Sequence, residues 1–174
     1  MAEAVQVALR PTAPEDLDFV LALEAREDYA AYIFRWPREK HLVALDDGDI
    51  RHLMICGSEN EPLGYALLAG AQRGAGSIEL LRIALARPGR GVGAAALSAL
   101  SSYAFEKLAA QRFWLDVFED NTRARRAYLR AGFLEEAGRR PTLQRLGEQV
   151  PLVVMSIERK AFLRGGPEFQ ARHR

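Results

Sequence analysis

The stretch ARPGRGVGAAAL, residues 86–97, sets glycine at three alternate positions, Gly89, Gly91 and Gly93, between two runs of different character. The run before it, SIELLRIAL (77–85), has the composition of a strand. The run after it places Leu97, Leu100, Ala104 and Leu108 on one stripe, which predicts a helix to about Ala110. A junction of this kind holds anions: glycine lets the backbone come close, and the first turn of a helix leaves its N–H groups unpaired. RFWLDVFE (112–119) alternates, with Phe113, Leu115 and Val117 on one face and Trp114, Asp116 and Phe118 on the other. The centre of the chain is therefore a strand–helix–strand crossover.

The flanking segments extend this unit. VQVALR (5–10) reads as a strand, and a helix with Thr12 as N-cap is expected from about Pro14 to Arg26. A second short helix in PREKHLVALDDG ends at Gly48. IRHLMICG and PLGYALLAGAQ predict a hairpin turning around SENE. NTRARRAYLRAGF is a helix with Ala124, Ala127, Tyr128 and Ala131 on one face, closed by a left-handed Gly132 and an apolar Phe133. FLEEAG and VPLVVMSIERK read as final strands separated by an Arg-rich loop. The result is an α/β (α+β) domain of about seven strands and four helices. With 174 residues, 49% of them hydrophobic, one well-buried core is expected, spanning 1–163, and the polar segment 164–174 is expected to be a flexible tail.

Composition narrows the function. A net charge of +1 gives no general attraction to nucleic acid. One cysteine, Cys56, excludes an internal disulfide and a multi-cysteine metal site, and His41 and His52 form no metal or nucleophile motif with it, so no metal is expected. The start lacks a basic leader with an apolar core, and no apolar run reaches the ~18–20 residues of a membrane span. A cytoplasmic protein with no membrane partner is expected.

The glycine turn admits several ligands. Gly89, Gly91 and Ala94 fit a dinucleotide fingerprint, with Asp116 or Glu119 as the ribose-binding acid, which would make the chain an oxidoreductase. That fold needs more strand–helix units than remain, and Glu79 and Arg82 suit a fully buried parallel strand poorly. No Gly-Lys-Ser/Thr follows, which excludes a nucleotide P-loop. A turn with no ligand is the plainest alternative.

Two motifs together resemble the GNAT superfamily of N-acetyltransferases, in particular members that acetylate ribosomal proteins or small amines. Gly91-Val92-Gly93 matches the G-x-G of the family's [Q/R]-x-x-G-x-[G/A] signature, with Pro88 at the lead position and Arg87 one residue earlier. Asn121, Ala124, Tyr128, Gly132 and Phe133 match its second signature. The resemblance implies a mixed, mostly antiparallel sheet whose one parallel pair splays to bind CoA. It implies that the turn holds the pyrophosphate of acetyl-CoA. On physical grounds the N–H groups of Arg90, Gly91, Val92, Gly93 and Ala94 suit that anion, and Arg87 and Arg90 add charge. By resemblance, the main chain of Ile83 and Leu85 pairs with the pantetheine arm, Ile83 N–H polarises the thioester, Asn121 bonds the arm, and Tyr128 protonates the leaving thiolate.

Glu79 is the candidate general base. Strict alternation puts it on the face of Leu81, Ile83 and Leu85, in apolar company that would raise its pKa; the alternative is an arginine-paired structural residue. Arg123, Arg125, Arg126 and Arg130 read as a solvated face or as partners for the CoA 3′-phosphate. Acceptor binding is expected in REDYAAYIFRWP, with Asp28, Tyr32 and Trp36 as candidates beside Glu27, Tyr29 and Phe34; His41 is expected at the surface or facing the acceptor. The expected activity is acetyl transfer from acetyl-CoA to a small amine or a peptide amino terminus, by direct attack in a ternary complex. The alternative is a decayed acyl-CoA sensor. Either is expected to be a monomer or homodimer.

Overall fold

The computed structural model describes residues 5–73 and 75–165. An eight-stranded sheet carries helices on both faces. The chain runs β1 (Ala8–Pro11), α1 (Leu17–Glu24), α2 (Arg38–Asp46), β2 (Ile50–Cys56), β3 (Pro62–Ala69), β4 (Ser77–Leu85), α3 (Val92–Ser102), β5 (Arg112–Phe118), α4 (Thr122–Arg130), β6 (Leu134–Glu135), β7 (Thr142–Arg145), β8 (Glu148–Glu158) and α5 (Arg159–Arg164). The strand order is β1-β2-β3-β4-β5-β8-β6, with β7 paired to β8. Every pairing is antiparallel except β4 with β5.

One core lies between the sheet and α3, where Leu97, Leu100 and Phe105 meet Ile78, Leu80, Phe113 and Leu115. The other lies under α1, where Leu17, Val20 and Leu23 meet Met54, Tyr65, Leu67 and Ala84. A central strand must therefore be apolar on both faces. β3 is buried continuously from Gly64 to Ala69.

Two features were not foreseen. Within the Arg-rich loop, β7 forms a hairpin with β8 through Leu146 and Gly147, at φ 52° and 84°. Two left-handed residues make the turn type whose twist suits a tight hairpin. The last strand ends at Glu158, and Arg159–Arg164 coil into α5. The described residues thus hold eight strands and five α-helices. Thr12 does not cap α1; its hydroxyl bonds His52 at 2.9 Å, and the Asp16 carboxylate accepts the Ala13 N–H instead. Residues 166–174, most of the expected tail, lie outside the described residues.

The sheet opens at its centre. β4 pairs with β5 only from Ser77 to Glu79, opposite Arg112 to Trp114. Beyond Glu79, β4 bulges: Leu68 faces Leu80 and Leu67 faces Arg82, so Leu81 has no partner on β3. A bulge bends and twists its strand. β5, meanwhile, follows β8 without interruption from Arg112 to Phe118. The two strands part from Glu79 onward, and the gap between them is the floor of a cleft.

Candidate active site

The cleft has a volume of about 900 Å³. The glycine turn, the start of α3, α4, the α1–α2 connection and Leu143 of β7 all contribute to its lining.

At the turn, Gly89, Arg90 and Gly91 all have positive φ, at 112°, 50° and 82°. Gly91 is the left-handed N-cap of α3. Val92 N–H closes the turn on Gly89 O at 3.1 Å, so Gly93 and Ala94 carry the unpaired N–H groups of the first helical turn. A Cβ on Gly89 would meet nothing within 4 Å, and one on Gly93 only Leu85 Cδ1 at 3.6 Å. The fold itself does not demand glycine at 93. Arg87 and Arg90 are exposed and do not line the cleft, nor does Val92, whereas Arg123 and Arg130 of α4 do.

On the floor, Ala86 N–H bonds Leu63 O on β3. By alternation Ile83 and Leu85 then turn their N–H and C=O groups into the gap. Leu85 is already engaged there: the Tyr29 hydroxyl accepts its N–H and donates to its C=O, both at 2.8 Å. Ile83 has no such side-chain partner on its peptide edge among the described residues.

The bulge at Leu81 also reverses side-chain parity. Ile78, Leu80, Ile83 and Leu85 pack towards α3, while Ala84 packs towards α1. Glu79 therefore does not share a face with Ile83 and Leu85, as strict alternation had placed it. It stands at the fork of the strands, near Asp116 of β5. Burial raises the Glu79 carboxyl, and the Asp116 charge raises it further. Asp116 opens to solvent through the cleft, but the walls around it raise its carboxyl too. Among the described residues neither has a hydrogen bond or an ion pair. Asp116 was named in the sequence only for the dinucleotide reading.

On α4, the Asn121 carboxamide oxygen accepts Ala124 N–H at 3.2 Å, capping the helix and leaving its NH₂ group available. Tyr128 is half-buried against Phe133, ring centroids 5.8 Å apart. Burial pushes its phenol above the usual range, aided by Tyr29 and Asp116. Its hydroxyl has no hydrogen-bond partner among the described residues.

The acceptor candidates separate. Tyr32 and Phe34 line the cleft. Asp28 lines it as well, but its carboxylate is held by both arms of Arg26, at 2.9 and 2.6 Å. Trp36 does not line it. The Trp36 indole lies between Lys40 and Arg82, at 4.1 and 4.8 Å, over His41. His41 is fully buried, not at the surface. It bonds His52 at 3.0 Å and lies 3.3 Å from Glu24, without the alignment of a hydrogen bond. Glu24, 1% exposed, also accepts from Tyr65, from Trp36 N–H at 3.0 Å and from Arg82 at 2.5 Å. No motif in the sequence singles it out.

The acetyltransferase (GNAT) family model matches residues 17–133, from α1 through Phe133. The chain belongs to that family. It is an acetyl-CoA-dependent N-acetyltransferase that transfers acetyl to an amine. Solved structures with the same fold include a spermidine N-acetyltransferase from Vibrio cholerae in complex with CoA and spermine. The two are 22% identical, with a TM-score of 0.80, over 91% of this chain and 98% of that one. A dodecameric structure of spermidine N-acetyltransferase from Vibrio cholerae aligns at 19% identity and TM-score 0.77, over 92% and 98%. The mostly antiparallel sheet, with its single parallel pair, is not that of a dinucleotide-binding fold.

Proposed function

We propose that the cleft between β4 and β5 binds acetyl-CoA and a small-molecule amine together and passes the acetyl group directly between them. The observation that carries this is the splay itself: a peptide edge at Ile83 with no side-chain partner among the described residues, an anion cradle at Gly93 and Ala94, and an unpaired carboxylate and phenol facing the same gap.

In this reading the pyrophosphate lies on the N-terminus of α3, with Arg123 or Arg130 in reach of further phosphate charge. The arm pairs with Ile83, whose N–H also draws charge from the thioester oxygen as it develops. Asn121 donates to the arm from its NH₂. Glu79 takes the amine's proton, directly or through a water; its raised pKa makes it a better base than an ordinary carboxylate. The amine nitrogen bonds the acetyl carbon, the C–S bond breaks, and the sulfur receives a proton from Tyr128. A phenol held protonated by burial is a suitable donor there. The structural neighbour that binds spermine makes a linear polyamine one acceptor to test.

The test is acetyl-CoA binding by calorimetry, followed by thiol release across a panel of primary amines. The expected result is binding, and turnover with at least one amine. Tight binding with no turnover on any amine or amino-terminal peptide returns the chain to an acyl-CoA sensor. Stabilisation by NAD and not by acetyl-CoA overturns the reading altogether.

A further inference from the structure

Resting on the reading above, we infer that the acceptor is a small primary amine with one positive charge and an apolar body the size of an aromatic ring, not a linear polyamine. It rests on the acceptor side of the cleft. Tyr32, Phe34, Leu81 and Leu143 are 36, 48, 40 and 41% exposed, and all four line it. Large apolar side chains left open together in one cleft indicate a ligand surface. Phe118 completes the wall, its ring 6.1 Å from Tyr32 and 6.3 Å from Phe34.

Charge decides what that wall accepts. Asp28 is closed by Arg26, and Asp120 by Arg145. Of the carboxylates lining the cleft, Glu79 and Asp116 are left without an ion pair among the described residues, and they stand near each other at the fork, where one ammonium group is to be bound. Phe118 follows Asp116 by two residues on the same face of β5, a step of about 7 Å. An amine held at the carboxylates thus lays its next few carbons on the aromatic wall. A second ammonium there finds no free carboxylate. Aromatic faces attract cations, but two of the three rings already have one: the Arg145 guanidinium sits 4.6 Å from the Phe118 centroid and 5.7 Å from that of Tyr32, and its charge repels a second ammonium beside them. Arg145 also bonds Ala31 O at 3.2 Å, so the hairpin of β7 and β8 fixes this cation against the acceptor connection.

The experiment compares kcat/KM for 2-phenylethylamine, 1,4-diaminobutane and spermidine at saturating acetyl-CoA. The expected preference for 2-phenylethylamine is roughly tenfold or more, the range one or two apolar contacts confer. Phe34→Ala should raise KM for 2-phenylethylamine and leave KM for acetyl-CoA unchanged. Arg145→Gln should raise kcat/KM for the diamine severalfold and so narrow the preference. Equal or better use of spermidine or the diamine overturns the inference, as does a Phe34→Ala protein with an unchanged ratio. A short peptide beginning with Phe that outruns 2-phenylethylamine overturns the small-molecule assignment. Calorimetric binding of the same amines to the CoA-saturated protein separates the two readings. A retained preference without turnover sinks acetyl transfer alone; turnover without the preference sinks this inference alone.

Discussion

Two groups of carboxylates sit on this sheet and are treated in opposite ways. Glu24 is buried under α1, where burial alone would raise its carboxyl; the adjacent His41 ring, bonds from Tyr65 and Trp36 N–H, and the charge of Arg82 outweigh that and hold it at about 2. Glu79 and Asp116 line the cleft without partners, and burial raises both. The contrast separates structure from chemistry. A carboxylate fully engaged by its neighbours has no lone pair to offer a substrate. One left unsatisfied costs stability and keeps its basicity for the reaction.

The largest expected effect comes from removing the proposed base. Glu79→Gln keeps the shape and cannot accept a proton, so kcat should fall roughly 10²–10⁴-fold, with acetyl-CoA affinity little changed. The loss should shrink at high pH, where the amine deprotonates unaided. A change under about threefold at neutral pH would place Glu79 with the structural carboxylates.

Removing the buried partner should act on stability instead. Glu24→Ala strands Arg82 in the protein and frees Trp36 N–H, a change of the kind that costs about 3–5 kcal/mol. Chemical denaturation should read it. Since Arg82 also bonds Phe34 O at 2.8 Å, the KM for the amine should rise while affinity for acetyl-CoA holds. A loss below about 1 kcal/mol would show that the network is not what holds the acceptor connection.

Acid should find the same network. His52 is held at about 4 by burial and by His41, against an ordinary 6.5, so between these values the unfolded chain binds a proton that the native state refuses. Glu24 repeats this between 4.5 and about 2. Stability should therefore fall as pH drops from about 6.5, by a few kcal/mol in all, and His52→Gln should flatten the upper part of that fall. Glu79 and Asp116 have the reverse sign: their raised carboxyls favour the native state at low pH and lose that contribution as pH rises. At neutral pH Asp116→Asn should raise Tm by about 1–3 °C, and a lower Tm would show that Asp116 is engaged after all.

The smallest effect is at the turn. Gly93 needs no left-handed backbone, so Gly93→Val tests ligand approach without backbone strain and should weaken acetyl-CoA about tenfold at little changed Tm. Gly91→Val, at φ 82°, should lower both together.

The sequence by itself determined the crossover, the glycine turn and the α4 helix with its caps, because each depends on residues close in the chain. Glycine at 89 and 91 dictates the turn, and Asn121, Gly132 and Phe133 close their own helix. Only the tertiary structure decided what β4 does past Glu79. Its bulge is a mismatch of register with β3, and no alternation within SIELLRIAL reveals that Leu81 is the extra residue. Nor could the sequence assign partners to its charges. Asp28 looks like a substrate carboxylate until Arg26 folds onto it, and His41 looks like a surface residue until Glu24 and His52 enclose it. Asp116 meets Glu79 because β5 lies beside β4, 37 positions further along the chain. The physical reason is the same in each case: reactivity depends on which groups approach within a few ångströms, and the sheet pairing sets that.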